Sequence, residues 1–227
     1  MKIQYIDWGS IDYATAWDQQ TQLFNQRVQA KLANAEGRQE YPNLTIFCEH
    51  PPVYTLGKSG LADNLLINQQ QLAERGATFF KIDRGGDITY HGPGQIVVYP
   101  IIDLEQGKLG LKQYIHLLEE AVIRFLAGRG VTAERLEGAT GVWLDSLLPG
   151  KARKICAIGV KSSRHITMHG LALNINTDLS YFHAINPCGF IDKGVTSLQQ
   201  ELGAQQDMET CKSDLYKELA VLFDGLE

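Results

Sequence analysis

The spacing of hydrophobic residues along the chain alternates between two periods. Two long stretches, 13–32 and 111–127, carry apolar residues three, four or seven positions apart. This spacing places the apolar side chains on one face of a helix, so it predicts an amphipathic helix over each stretch. Gly128 directly follows the second stretch and is typical of a helix end.

Shorter apolar runs with a period of two predict strands, because successive side chains of a strand point to opposite faces. They lie at residues 1–7, 44–49, 53–56, 77–82, 96–99, 131–136, 140–144, 154–160 and 166–175. Shorter helices are predicted at 68–75, 196–202 and 211–223. Strands follow one another in pairs, and no linker or repeat interrupts them. The pattern predicts one α/β domain over residues 1–227, with a mixed, largely antiparallel sheet and flanking helices.

A glycine-rich stretch lies between two of the predicted strands. Residues 84–95 read Arg-Gly-Gly-Asp-Ile-Thr-Tyr-His-Gly-Pro-Gly-Gln. Four glycines and a proline in twelve positions predict an irregular loop, neither strand nor helix. A turn without a ligand is one interpretation. The polar side chains of Arg84, Thr89, Tyr90 and His91 favour a rigid binding loop instead.

Composition and charge exclude several classes of protein. The net charge of −5 disfavours a nucleic-acid binder that relies on overall charge. No apolar run approaches the roughly 18 residues of a membrane span, and residues 1–7 lack a signal-peptide core. The four cysteines form no C-x-x-C pair, so we expect a reduced, cytoplasmic protein without a zinc ribbon. His165 and His169 lie about 13 Å apart on the predicted strand, too far to share a metal ion.

A basic run lies within this acidic chain, at residues 151–164. Its charged members are Lys151, Arg153, Lys154, Lys161 and Arg164. A solvated surface and a docking patch for an acidic partner protein are equally compatible with this run.

Cys188 is the candidate nucleophile. It lies between Pro187 and Gly189 in a turn sequence, whereas Cys48, Cys156 and Cys211 lie in apolar patterns typical of buried, inert thiols. A turn cysteine without function remains the alternative. A reactive cysteine needs a cation or base beside it. Three candidates are present: Lys154, at the start of an apolar strand, and the glycine-flanked His91 and His169. A structural role is the alternative for each: a strand-end lysine that reaches water, or a hydrogen-bonded turn histidine.

Several motifs together resemble the lipoyl (octanoyl) transferases. The long motif at 84–95 carries most of the resemblance, because it is far more specific than any short pattern. Further matches are Glu-His-Pro-Pro-Val-Tyr-Thr at 49–55, Arg-Lys-Ile at 153–155, Ala-Ile-Gly-Val at 157–160, His-Gly-Leu-Ala-Leu-Asn at 169–174, Asn-Pro-Cys-Gly at 186–189 and Gly-Val-Thr-Ser-Leu at 194–198. The matches occur in the same order along the chain as in the family, and the resemblance extends over residues 13–203.

The resemblance implies a fold like the catalytic domains of biotin and lipoate protein ligases. It implies transfer of an octanoyl group from octanoyl-acyl carrier protein to a lysine of lipoyl domains in 2-oxoacid dehydrogenases or of the glycine-cleavage H protein. Cys188 would carry the acyl group as a thioester, and Lys154 would lower the pKa of its thiol. No metal or cofactor is implied, and we expect a monomer. The acyl site would be lined by Arg84, Gly85, Gly86, Asp87, Ile88, Thr89, Tyr90, His91, Ala157, Ile158, Gly159, Gly170, Leu171 and Ala172.

The residues themselves agree with this chemistry. Small side chains at Ala157, Gly159, Gly170 and Ala172 would leave room for an aliphatic chain between strands. Two other activities remain as alternatives. An ATP-dependent lipoate ligase of the same fold is disfavoured, because residues 84–95 do not form an adenylate-binding pattern. A non-catalytic carrier-binding module is disfavoured by the presence of both Cys188 and Lys154.

Overall fold

The structure is a computed structural model that describes residues 1–33, 41–186 and 193–226. The helices are α1 (Tyr13–Leu32), α2 (Gln69–Glu74), α3 (Leu111–Ala127), α4 (Leu198–Leu202) and α5 (Met208–Asp224). The strands are β1 (Ile3–Ser10), β2 (Asn43–Glu49), β3 (Val53–Leu56), β4 (Thr78–Lys81), β5 (Ile88–His91), β6 (Gln95–Ile101), β7 (Glu134–Leu136), β8 (Ala139–Leu144), β9 (Arg153–Ser163), β10 (Ile166–Asn174) and β11 (Gly194–Val195).

Within the described ranges, the strands form a large sheet and a small one. The large sheet has the order β1-β2-β6-β10-β9-β8-β7, and β11 pairs with β9. Its pairs are antiparallel except β1 with β2 and β11 with β9. The small sheet has the order β4-β3-β5. The predicted mixed, largely antiparallel architecture is therefore confirmed.

Helices cover both faces of the large sheet. On one face α3 and α5 contribute Leu118, Phe125 and Phe223 to the main hydrophobic core, each at most 2% exposed. On the other face α1 packs through Ala16 and Phe24. The small sheet has a separate core around Tyr54 and Tyr90, which it shares with α2 and a 3₁₀ segment at Leu179–Ala184. This burial is the main favourable contribution to folding.

The buried face of α1 differs in part from its predicted face. Leu32 is 54% exposed, whereas the polar Gln20 and Arg27 are buried. The guanidinium of Arg27 donates to the backbone oxygens of Leu23 and Pro42, at 3.0 and 2.9 Å. Hydrogen bonds of this kind offset the cost of burying a polar group. Such partners come from elsewhere in the fold, so hydrophobic periodicity does not reveal them.

The glycine-rich stretch contains a strand, so the prediction that it is wholly irregular is wrong. Ile88–His91 forms β5 and pairs antiparallel with β3. Positive φ angles occur at Gly86 and Gly94, +87° and +77°, outside the strand. The glycines therefore make the turns on either side, while the segment between them is regular.

Burial of the three cysteines outside the turn sequence is confirmed. Cys48, Cys156 and Cys211 are buried free thiols, and burial raises the pKa of each of them. A thiol that stays protonated is a poor nucleophile, so these cysteines are unsuited to catalysis. No helix in the described parts of the chain is long and apolar enough to cross a membrane.

Candidate active site

A cavity of about 440 Å³ lies over the centre of the large sheet. Its volume is within the range of roughly 300–1,000 Å³ that is typical of small-molecule sites. Most of the residues predicted to line an acyl site line this cavity. These are Arg84, Gly86, Asp87, Ile88, Thr89, His91, Ala157, Ile158, Gly159, Gly170, Leu171 and Ala172, together with Lys154.

The floor of the cavity is built from three neighbouring strands. Val97 on β6 lies opposite Ala172 on β10, which in turn lies opposite Ala157 on β9. At the next position along β10 that faces the same way, Asn174 lies opposite Gln95. A row of small aliphatic side chains is therefore followed by a polar pair.

A β-bulge turns Lys154 toward the cavity. Val142 pairs with Cys156, but Trp143 pairs with Lys154, so Ile155 is an extra residue on β9. In a regular strand, Lys154 would face the same side as Cys156, but the bulge lets Ile155 and Cys156 both face the core. Lys154 instead lines the cavity, and its Nζ lies 4.6 Å from the centre of the Trp143 ring.

The bulge depends on a glycine in β8. Gly141 has a φ of +122°, and a Cβ there would lie 2.5 Å from the backbone oxygen of Cys156. The same Cβ would lie 3.4 Å from Cε of Lys154. Only glycine adopts this backbone conformation without strain and allows such a close approach.

Cys188, the predicted nucleophile, lies outside the described residues. Described residues on either side of it are anchored. The Asn186 N–H donates to the backbone oxygen of Asn64 at 2.8 Å, and the Gly194 N–H donates to that of Ala152 at 2.9 Å. Lys193, like Lys154, lines the cavity. The pairing of Cys188 with Lys154 stays a prediction.

Arg84 forms part of the cavity wall and is held by the small sheet. It is 8% exposed, and its Nη2 donates to the backbone oxygen and to Oγ1 of Thr55, at 2.8 and 3.0 Å. The backbone N–H of the next residue, Gly85, donates to the oxygen of Val160 at 3.0 Å. Gly85 is not among the lining residues, and this bond ties the loop to β9.

Gly159 and Gly170 were expected to leave space for an aliphatic chain, but the space beside their Cα atoms is already filled. A Cβ on Gly159 would lie 2.8 Å from the oxygen of Gly85, and a Cβ on Gly170 would lie 2.1 Å from the oxygen of Val98. Backbone atoms already occupy these positions, so the two glycines permit close packing of neighbouring chain segments.

Tyr90 lies away from the cavity lining. Its ring stacks on that of Tyr181, with centres 4.6 Å apart, and lies 5.4 Å from that of Tyr54. Such pairs stabilise the core of the small sheet. The prediction that Tyr90 contacts an acyl group has no support from its position.

His91 is neutral, and its tautomer follows from its partners. Gln95 Nε2 donates to the Tyr90 backbone oxygen at 3.1 Å, so Gln95 Oε1 is the atom that faces His91 Nδ1 at 2.8 Å. Nδ1 therefore carries the proton, and Nε2 accepts from the hydroxyl of Thr55 at 3.3 Å. Burial, and after it the nearby His50, lower the pKa of His91 to about 3.

This depressed pKa makes stability depend on pH. As the pH falls below about 6.5, His91 takes up a proton in the unfolded chain but not in the folded one until about pH 3. Stability is therefore lost on acidification, by about 1.4 kcal/mol per pH unit for one group. We expect His91→Gln to reduce the loss between pH 7 and pH 5 by about 2 kcal/mol, measured by urea unfolding.

His165→Gln is the matched control for this measurement, because it removes a histidine that lies on the turn between β9 and β10 and whose side chain is 58% exposed. An unchanged pH dependence in His91→Gln would contradict the assignment of a neutral, buried His91.

His169 lies at the opposite end of the cavity from Lys154. It pairs with Val160, six residues along β9 from Lys154, which corresponds to about 17 Å once the bulge residue is allowed for. Its Nε2 lies 3.1 Å from Oδ1 of Asp83. Hydrogen bonds from His169 and from Lys161 hold the pKa of Asp83 well below its usual range. The distance disfavours His169 as the base that activates a thiol beside Lys154.

The surroundings of the basic run do not favour a docking patch. Arg153 donates to both carboxylate oxygens of Glu201, each at 2.7 Å, and also pairs with Asp145. Lys154 lines the cavity and Lys161 pairs with Asp83. The exposed members, Lys151 and Arg164, flank β9, a strand of 11 residues that is about 35 Å long.

Several cavity residues were not singled out from the sequence. Their hydrophobic pattern resembles that of ordinary core positions, and their lining role depends on which strands become neighbours. For Gln95 and Asn174 a signal was present, since they lie within the matched motifs. The cavity residues that were not singled out include Tyr13, Gln95, Val97, Tyr99, Trp143, Asn174 and Lys193.

The fold and the cavity define the class of protein. The family described as lipoyl protein ligase A/B catalytic domain matches residues 12–220, so the chain belongs to this family. It is 63% identical to an octanoyltransferase of Parabacteroides distasonis over 93% of this chain and 94% of that protein. It is 60% identical to an octanoyltransferase of Bacteroides fragilis over 96% of this chain and 97% of that protein.

Solved structures share the fold at low identity. One is a bipartite lipoate protein ligase from Thermoplasma acidophilum, with a TM-score of 0.69 and 13% identity over 99% of this chain and 84% of that one. Another is a biotin protein ligase from Aquifex aeolicus, with a TM-score of 0.51 and 11% identity over 99% of this chain and 69% of that one. The predicted likeness to the lipoate and biotin ligase fold is confirmed.

Proposed function

We propose that this chain is an octanoyltransferase that acts through a thioester on Cys188. It takes the octanoyl group from octanoyl-acyl carrier protein and passes it to a lysine of a lipoyl domain, the first step of protein lipoylation. The name of the related proteins supports the activity. The observation that carries the proposal is the position of Lys154, whose amine lines a cavity with a floor of aliphatic side chains.

The dimensions of the cavity fit an acyl chain of medium length. From Lys154 to Gly159 the floor runs five residues along β9, one of them the bulge residue, or about 13 Å. The aliphatic row of Val97, Ala172 and Ala157 lies between these two ends. Beyond it, Arg84 and Gly85 lie against Gly159. The acyl chain lies on the aliphatic row, with its carbonyl group toward Lys154.

The reaction has two half-reactions. The Cys188 thiolate attacks the carbonyl carbon of the donor thioester, the acyl–enzyme bond forms, and the carrier thiolate leaves. The acceptor lysine amine then attacks the acyl-cysteine, and the Cys188 thiolate is released as the amide forms. Lys154 as an ammonium stabilises the thiolate, and as a free amine it takes the proton of the acceptor amine. The donor leaves before the acceptor arrives.

The remaining parts of the proposal follow from the same reaction. The acceptors are lipoyl domains of 2-oxoacid dehydrogenases and the glycine-cleavage H protein. Residues 1–227 act as one catalytic domain and as a monomer, in the cytoplasm. No metal or nucleotide takes part, because the donor thioester is already activated.

Mass spectrometry of the intact protein and of its proteolytic peptides tests the proposal. Incubation with octanoyl-acyl carrier protein alone should add one octanoyl mass to the peptide that contains Cys188, and Cys188→Ala should gain none. Acyl transfer that needs ATP and free octanoate would favour a lipoate ligase. Binding of the carrier without any transfer would favour a non-catalytic module.

A further inference from the structure

A chain of hydrogen bonds links the cavity wall to the polar end of its floor. Arg84 Nη2 donates to Thr55 Oγ1 at 3.0 Å, and this hydroxyl donates to His91 Nε2. His91 Nδ1 then donates to Gln95 Oε1. Gln95 Nε2 donates to Asn174 Oδ1 at 2.8 Å. Each donor in this chain fixes the orientation of the group that follows it.

Two backbone carbonyls set the orientation of the two amides at the end of this chain. The Tyr90 oxygen can only accept, so the Gln95 atom beside it is Nε2. The Thr196 oxygen can only accept, so the Asn174 atom 3.0 Å from it is Nδ2. The direct contact from Gln95 Nε2 to Asn174 Oδ1 agrees with both assignments. The Asn174 amide is therefore held in one orientation.

Within the part of the chain that the structure describes, one donor of this fixed amide is unused. Nδ2 of Asn174 carries two hydrogens, and its single acceptor among the described residues is the Thr196 oxygen. Asn174 is 4% exposed and lines the cavity. An unpaired buried donor costs roughly 1–3 kcal/mol, and such groups are rare away from functional sites.

Asn174 lies at the same end of the cavity as Lys154. It is the last residue of β10. Where β10 ends, β11 becomes the neighbour of β9, and Val195 of β11 pairs with Lys154. The Thr196 N–H donates to the Lys154 oxygen at 2.9 Å, while the Thr196 oxygen accepts from Asn174. One short segment thus contacts both residues.

The geometry points to Asn174 as a further catalytic residue, whose free N–H binds the carbonyl oxygen of the acyl group. This inference rests on the proposed function. When the thiolate or the acceptor amine attacks, the carbonyl carbon becomes tetrahedral and its oxygen gains negative charge. The Asn174 hydrogen bond strengthens as this charge develops, and no proton is transferred through it. His91 and Gln95 are then positioning residues that orient the amide.

Single-turnover acylation by octanoyl-acyl carrier protein tests this role. We expect Asn174→Ala to slow acylation by roughly 10²–10³-fold, the usual loss on removal of one oxyanion donor. The KM for the donor and the alkylation of Cys188 by iodoacetamide should stay near the wild-type values. Asn174→Asp is isosteric and keeps the acceptor for Gln95, so it replaces the alanine variant if that variant does not fold. Its negative charge should give at least as large a loss.

Two measurements separate this role from a structural one. A carrier protein with an S-octyl thioether lacks the carbonyl oxygen, so the variants should bind it as tightly as the wild type does. Asn176→Ala is a matched control, because Asn176 also makes two hydrogen bonds, to Gln206, but does not line the cavity.

Acylation within about threefold of the wild-type rate, or loss of thioether binding together with acylation, would overturn the assignment of Asn174. If the wild type itself forms no acyl-enzyme, the proposed function fails, and this result is distinct from either outcome for Asn174.

Discussion

Replacing Lys154 by methionine is expected to slow acyl transfer by roughly 10³-fold while the protein stays folded. Methionine keeps an unbranched apolar stem against Trp143, where the Lys154 ammonium lies 4.6 Å from the ring centre. The variant loses the positive charge that favours a thiolate, so the pKa of the Cys188 thiol should rise. The rate of Cys188 alkylation by iodoacetamide, measured against pH, should therefore have its midpoint at higher pH.

Lys151→Met is the matched control for this variant. Lys151 belongs to the same basic run but is exposed at the turn before β9. It should show the wild-type alkylation midpoint and the wild-type rate of octanoyl transfer. An unchanged midpoint in Lys154→Met would mean that another group activates the thiol, and Lys193 would then be the next residue to replace because it also lines the cavity.

Gly170→Ala is expected to lower the free energy of unfolding by about 3 kcal/mol or more. The added Cβ would lie 2.1 Å from the Val98 oxygen and 2.6 Å from Cδ of Pro100, both on the neighbouring strand β6. Backbone atoms cannot move aside as a flexible side chain can, so β6 and β10 would have to separate at the floor of the cavity. Urea unfolding at pH 7 measures the loss.

For Gly128→Ala we expect the opposite change in the free energy of unfolding. Gly128 ends α3 with a φ of −60°, and a Cβ there would lie 3.6 Å from its nearest neighbours, an ordinary contact. Alanine fits this backbone and reduces the freedom of the unfolded chain, so we expect a small gain of about 0.4–1 kcal/mol. Equal losses in the two variants would show that the steric argument at Gly170 is wrong.

Periodicity predicted those elements that depend on local sequence. The spacing of apolar residues over 111–127 predicted α3 with the bounds that the structure has. A helix with one apolar face and a glycine end has few alternatives. The strands of the central sheet followed from alternation in the same way. Two strands were missed: β5 because its glycine-rich flanks obscured four regular residues, and β11 because two residues carry no period.

The candidate site was predictable only where a residue type carries the chemistry. The motif at 84–95 and the residues Lys154, Ala157 and Ala172 indicated an acyl site, and the cavity brings most of these residues together. The docking-patch interpretation of the basic run lost support because Glu201 and Asp83, from distant parts of the chain, pair with its charges, as does the nearer Asp145. Pairing across such sequence distances has no local signature.

By itself, the sequence determined most of the helices and strands, the family and the residue types available for acyl transfer. The tertiary structure decided which way those residues face. Alternation along β9 would place Lys154 on the core side with Cys156, and one extra residue, Ile155, turns it to the cavity. Asn174 became a candidate donor to the acyl carbonyl oxygen because the backbone oxygens of Tyr90 and Thr196 fix the orientation of the Gln95 and Asn174 side-chain amides. A bulge and a hydrogen-bond chain arise between strands, so no single segment of sequence contains them.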